Sequence, residues 1–201
     1  MKLYSYVVAR DYGFAPNPFY GVCTLATCKP EIRQHAQVGD WIIGTGSKRY
    51  GLAGRLVFAM RVAETPTFEE YWVDNRFLLK RPFLRGSFKQ AFGDNIYHRD
   101  PQTEKWLQEN SHHSLLTGKA NWSNVKHDTH ANRVLVGTEF TYWGASAPSI
   151  PVRFRRQQIY DVCAHRGHKC IFPQQFVDSF VSWYKSLLVT GYAGQPKEFP
   201  E

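Results

Sequence analysis

Long hydrophobic runs are missing from this chain of 201 residues: none approaches the roughly 20 apolar residues that a membrane-spanning helix needs. The opening Met1-Lys2-Leu3-Tyr4-Ser5-Tyr6 reads as a strand and lacks the profile of a secretion signal, so a soluble, cytoplasmic protein is expected. Cysteine is sparse. Of the four, Cys23-x4-Cys28 and Cys163-x-His165-x-x-His168-x-Cys170 both lack the two-residue gap of a zinc knuckle, so reduced thiols are expected, with no metal and no cofactor. No phosphate-loop spacing occurs, and no cluster of carboxylates suited to two metal ions, the latter arguing against a nuclease. No internal repeat or domain boundary is visible, and a single domain over residues 1–201 is expected.

Acidic residues are the last shortage. Lys and Arg number 25 against 17 Asp and Glu, a formal net charge of +8, which makes a polyanion the natural partner. The cations are dispersed among aromatics at Lys48, Arg49, Arg76, Lys80, Arg81, Arg85 and Lys89, then Arg153, Arg155 and Arg156. That mixture suits a nucleic-acid groove, with a solvated basic face as the alternative.

What the sequence does contain is a strong central hairpin signal. Trp41–Ile43 and Leu56–Val62 flank a glycine-rich segment too short for a helical crossover, so they should pair antiparallel. Alternation places Leu56, Phe58, Met60 and Val62 on one face and Val57, Ala59 and Arg61 on the other. Between the strands, Gly44 to Gly51 offers bare amides, hydroxyls and the cations Lys48 and Arg49, suited either to turning the chain or to an anionic ligand.

Elsewhere, Leu3–Arg10 reads as a first strand, running into the proline- and aromatic-rich loop Asp11 to Gly21, either a buried plug or the wall of a pocket. Pro30–Ala36 and Thr67–Leu79 read as helices, the second capped by Thr67 with Glu69 and Glu70 in its first turn. Periodicity fades from Lys80 to Asn132, which holds five of the eight histidines. Arg133–Val136 and Glu139–Trp143 resume strand patterns, Val152–Arg156 reads as an edge strand, and Pro173–Val189 as a core helix. Residues 190–201 read as a loose tail.

The segments VVARDYGFAPNPFYGVCTLATC, VGDWIIGTGSKRYGLAGRLVFAMRV, FGDNIYHRD and NSHHS, with YWG and RGHKC later, resemble the bacterial and phage family called nucleotide modification associated domain 2. That resemblance implies an association with modified DNA bases and assigns no reaction. A narrower likeness, over Cys28 to Glu64, is to the EVE and ASCH type of PUA-like barrel, which implies an aromatic base pocket. The fold expected is α+β, a mostly antiparallel, partly closed barrel with flanking helices and a long irregular insertion.

Chemistry on a stacked base requires it to be flipped out, gripped by rings and read at its edge. Phe14, Phe19, Trp41 and Trp143 are the candidate rings, with Asn17 and Ser47 as edge readers. Asp94, Asn95 and His98 crowd one short stretch, and with Asp11, His112 and His113 they supply a carboxylate to position water and a donor for the leaving base. Asp-Asn pairs also favour plain turns, and adjacent His112 and His113 share a site only on irregular backbone. Lys48, Arg49, Arg81, Arg85 and Lys89 are the candidate phosphate contacts. The expected function is recognition of a modified base in DNA, phage cytosine foremost, and its excision by an antiviral glycosylase. The alternative is a reader without catalysis.

Overall fold

Two β-branched runs around a glycine-rich stretch do form a hairpin. In the computed structural model, which describes residues 1–155, 160–163 and 167–200, the chain opens with β1 (Leu3–Val8) and the short β2 (Cys23–Leu25). Helix α1 (Pro30–His35) then leads into β3 (Trp41–Gly46), which pairs antiparallel with β4 (Leu56–Arg61), Ile43 opposite Ala59. Gly44 and Gly46 belong to β3, so the loop is shorter than the glycine-rich segment. Gly44 is required by close packing: a Cβ there would lie 2.4 Å from the Phe58 ring.

Helix α2 (Phe68–Val73) carries the expected Thr67 cap, which Glu70 reciprocates, then gives way at Asp74 to a 3-10 turn over Asn75–Lys80. The stretch read as aperiodic holds α3 (Phe88–Ala91), the hairpin of β5 (Tyr97–Arg99) with β6 (Trp106–Gln108), and α4 (Trp122–Thr129). These elements are too short to leave a periodic trace. After β7 (Leu135–Gly137) and β8 (Glu139–Tyr142), Val152–Phe154 is a 3-10 turn where an edge strand was expected, Arg156 lying outside the described residues. The chain ends with β9 (His168–Lys169), α5 (Gln174–Ser186) and β10 (Gly191–Tyr192).

The six-stranded sheet has the order β10-β8-β4-β3-β1-β9. The α+β character is as expected, but no closed barrel forms among the described strands: β9 and β10 lie at opposite edges, and β1 with β3 and β8 with β10 pair in parallel. Nor does β4 keep an open face. As an inner strand it buries Val57 and Ala59 as fully as Phe58 and Met60, and Arg61 alone of its residues is exposed. The supposed loose tail is anchored: β10 pairs with β8, the Glu198 amide donates to the Asp11 carbonyl (2.9 Å), and Glu198 pairs with Arg10 (3.2 Å).

Two hydrophobic cores result. One surrounds the large sheet with α1 and α5; the other gathers Phe14 from the loop after β1 with Phe68, Tyr71, Tyr97 and Val125 from α2, the small hairpin and α4. The β2–β7 ribbon separates them, sending Cys23, Leu25 and Leu135 to the first and Val136 to the second. No helix among the described residues is long and apolar enough to cross a membrane.

Candidate functional site

Where β2 leaves that ribbon, the backbone enters an unusual conformation. Cys28 and Lys29 have φ of +58° and +44°, two successive left-handed non-glycine residues just before Pro30 opens α1. Each costs about 1–2 kcal/mol, so the surroundings must impose the shape. The Cys28 amide donates to Asp128 Oδ1 (2.8 Å), and its carbonyl accepts from Arg33 Nε (2.9 Å). Arg33 is fully buried and also donates to the carbonyls of Asp128, Ala131 (2.7 Å) and Arg133 (2.6 Å), tying α1 to the end of α4. Burial pulls its guanidinium down to about 10, still protonated at neutral pH.

Asp128 is fully buried, and its Oδ2 accepts from Tyr97 Oη (2.8 Å) and His113 Nδ1 (3.0 Å). The other ring nitrogen, Nε2, lies 3.7 Å from Cys28 Sγ. Thiol, imidazole and carboxylate thus stand in line, each orienting the next, as nucleophilic catalysis by cysteine requires. Burial alone would lower the His113 pKa, but the hydrogen bonds with Asp128 and Cys28 more than reverse it and raise it to about 9.

The same trio brings one ligand atom each within 4.8 Å and so invites a metal reading. Both Asp128 oxygens already accept hydrogen bonds, and His113 Nδ1 faces the carboxylate. Only Cys28 Sγ and His113 Nε2 then face common space, short of the four ligands of a structural zinc site. The catalytic line fits the geometry better.

Cys28 and Lys29 lie at the junction of two clefts. One, about 260 Å³, is walled by the rings of Tyr6, Tyr12, Phe14 and His112 together with His113. Phe14 lies 5.4 Å from His112 and 4.7 Å from His113, and Tyr12 lies 4.5 Å from His112, ring centre to ring centre. Burial and the neighbouring His113 charge push His112 down to about 4, so it is neutral beside a protonated partner. The other cleft, about 740 Å³, is lined by Lys29, Lys126, His127, His130 and His168.

The model of one protein family, nucleotide modification associated domain 2, matches residues 1–201. The chain belongs to that family. No curated protein and no solved structure matches it.

Within this nucleotide modification associated domain, Phe14, His112 and His113 join the site. The adjacent histidines share one cleft because Ser111–Ser114 is a turn: the Ser114 amide donates to the Ser111 carbonyl (3.0 Å) and the His113 amide to Ser111 Oγ (3.3 Å). The remaining sequence candidates lie elsewhere. Asp94 is wholly buried, accepting from Thr24 Oγ1 (2.6 Å) and Tyr71 Oη (2.8 Å). Beside it Lys80, also buried, donates to Asn17 Oδ1 (2.7 Å), the Asn17 carbonyl (3.0 Å) and the Val22 carbonyl (3.1 Å), and burial lowers it to about 8. This is an internal network in which Asp94 and Asn17 have no path to a base. Asn95 is buried too, donating to the Tyr71 carbonyl (2.9 Å).

Asp11 is buried against the carboxy-terminal segment, accepting from Tyr142 Oη and from the Lys197 amide (3.1 Å), and burial raises its pKa. His98 stacks on Trp72 (3.9 Å) and meets Glu109 (2.9 Å). Trp41 and Trp143 pack edge-on against Tyr184 in the main core, and Ser47 caps a 3-10 turn by accepting from the Arg49 amide. Phe19 and Lys89 line a separate cleft of about 670 Å³, Lys48 lines another, and Arg81 covers the Trp72 ring at 3.7 Å. Arg49 lies over the Tyr50 ring, and Arg85 is exposed. None of these five cations lines either cleft at Cys28.

The sequence offers Cys28 only within a pair whose spacing does not suit zinc, and nothing in it singles out Asp128. A cysteine with His and Asp far along the chain is the available signal, but with four cysteines and eight histidines it does not say which of them meet.

Proposed function

We propose that the domain is an enzyme of DNA-base modification in which Cys28 acts as a covalent nucleophile on a modified base held in the ring-lined cleft. The observation that carries this reading is the line from Asp128 through His113 to Cys28 at the mouth of that cleft. A cavity of about 260 Å³ lies below the range of roughly 300–1,000 Å³ typical of drug-sized ligands and suits a single turned-out base.

A cysteine oriented in this way serves acyl chemistry. Cys28 Sγ attacks the carbonyl carbon of an amide or ester substituent on the base, its proton passing to solvent, and protonated His113 delivers its own proton to the departing nitrogen or oxygen. Water, activated by His113, then cleaves the thioester: the carboxylic acid leaves and Cys28 regains its proton. No electrons are gained or lost. Excision of the base has less support, because Asp94 and Asp11 are both committed to partners inside the protein. Modified phage DNA remains the proposed context, supported by the family to which the chain belongs.

The test is incubation with oligonucleotides carrying cytosine, hydroxymethylcytosine, glucosylated cytosine or N4-acetylcytosine, followed by nucleoside mass spectrometry. Cys28-dependent loss of the acyl group, with a transient acyl mass on the protein, is expected. Free base and alkali-labile strands would establish excision instead, and tight binding without any product would establish a reader.

A further inference from the structure

We infer that the larger cleft is the phosphate-binding half of the same site, so that the group reaching Cys28 belongs to a nucleoside phosphate. This deepens the thiol reading and rests on it for the orientation of the substrate.

The two clefts meet at Cys28 and Lys29 and differ in character. The smaller is walled by rings. The larger collects cationic and imidazole groups from three separate parts of the chain: Lys29 before α1, Lys126, His127 and His130 at the end of α4, and His168 in β9. Glu31 is the one carboxylate on its lining. Among the described residues, Lys126, His127 and His130 have no ion-pair partner, whereas Arg76, Arg99 and Lys185 elsewhere on the surface are each matched by a carboxylate. An unmatched lysine beside imidazole hydrogen-bond donors around a hollow attracts an anion; on a flat face the same groups would merely be hydrated.

The division matches a nucleotide, an aromatic base joined to an anion. With the base among Tyr6, Tyr12 and Phe14, the phosphate falls on the side of Lys29 and Lys126, and the atoms between them pass the sulfur. Lys29 stands at the boundary: it is half-buried, and its Nζ lies 5.0 Å from the centre of the Tyr6 ring. None of the cations named from sequence takes part, because charge count alone does not show which cations share a hollow.

The experiment measures alkylation of Cys28 by iodoacetamide in the full chain, read by peptide mass spectrometry, with thymidine, thymidine 5′-phosphate or a single-stranded oligonucleotide as protectant. Each variant is compared with its own rate without protectant, so that the reactivity of the thiol and the grip of the cleft are read separately. The phosphate-bearing probes are expected to protect at concentrations at which thymidine does not. In a Lys126→Glu, His127→Ala, His130→Ala variant of unchanged melting temperature, the half-protecting concentration should rise about tenfold. Protection by both phosphate-bearing probes means that a free nucleotide suffices; protection by the oligonucleotide alone means that a strand is required. Equal protection by thymidine, no protection by any probe, or an unaltered variant overturns the inference. Slow alkylation that does not respond to loss of His113 would overturn the thiol reading instead.

Discussion

His113 combines opposing influences, and its behaviour is the most direct probe of the site. Its folded pKa of about 9 exceeds the ordinary 6.5. It therefore adds stability that is complete below pH 6.5 and disappears as pH rises through 9, with an upper bound of roughly 3 kcal/mol. Urea denaturation of the wild type and of His113→Gln should diverge at pH 6 and converge near pH 10; parallel curves across that range would contradict the arrangement. At pH 7, where protonated His113 stands 3.7 Å from the sulfur, His113→Ala should slow alkylation of Cys28 at least about tenfold. Cys28→Gly should abolish labelling yet stay within about 1 kcal/mol of wild-type stability, since glycine adopts φ +58° without strain while losing more entropy on folding. Asp94 behaves differently. Asp94→Ala leaves the Thr24 and Tyr71 hydroxyls without their buried acceptor, and Lys80→Met leaves the Asn17 and Val22 oxygens without their donor, each costing roughly 1–3 kcal/mol, so chemical denaturation is where the change will register.

Elements bring the trio together. Arg33 on α1 grips the carbonyl of Cys28 and three carbonyls at the end of α4, so it is the positioning residue of the site. Replacing it with Met leaves four buried acceptors short of a donor, a loss of roughly 3–5 kcal/mol. Arg33→Lys should not restore it, because an ammonium cannot fork to four carbonyls. Hydrogen exchange should show the Cys28 amide losing protection in both variants. Much of this level was legible beforehand: the β3–β4 hairpin, Pro30 at the start of α1, the Thr67–Glu70 cap and the amphipathic α5 all rest on contacts between near neighbours. The parallel pairings, the two-residue β10 and the meeting of residues 28, 113 and 128 rest on contacts between distant ones. Periodicity carries no trace of those, which is why Asp94-Asn95-His98, adjacent in sequence, looked like a site and part in the fold.

Across the whole molecule, the carboxy-terminal segment braces the ring-lined cleft. Glu198 accepts from Arg10 and Tyr50 and lies beside Tyr12, and Arg10 and Tyr12 line that cleft. Burial would raise the Glu198 carboxyl, but the hydrogen bonds from Arg10, Tyr50 and Tyr12 prevail and hold it at about 2. The stability it adds is therefore full above pH 4.5 and lost as pH falls through 2. Glu198→Gln should flatten that part of the acid-denaturation curve, and truncation after Val189 should both lower the melting temperature and weaken nucleotide protection of Cys28.

The junction at Cys28 sets a rule for inhibitors. A compound that fills both hollows must cross the sulfur between its two ends. An electrophile at the join between its ring and its anionic part, rather than at either end, is where a warhead would meet the thiol.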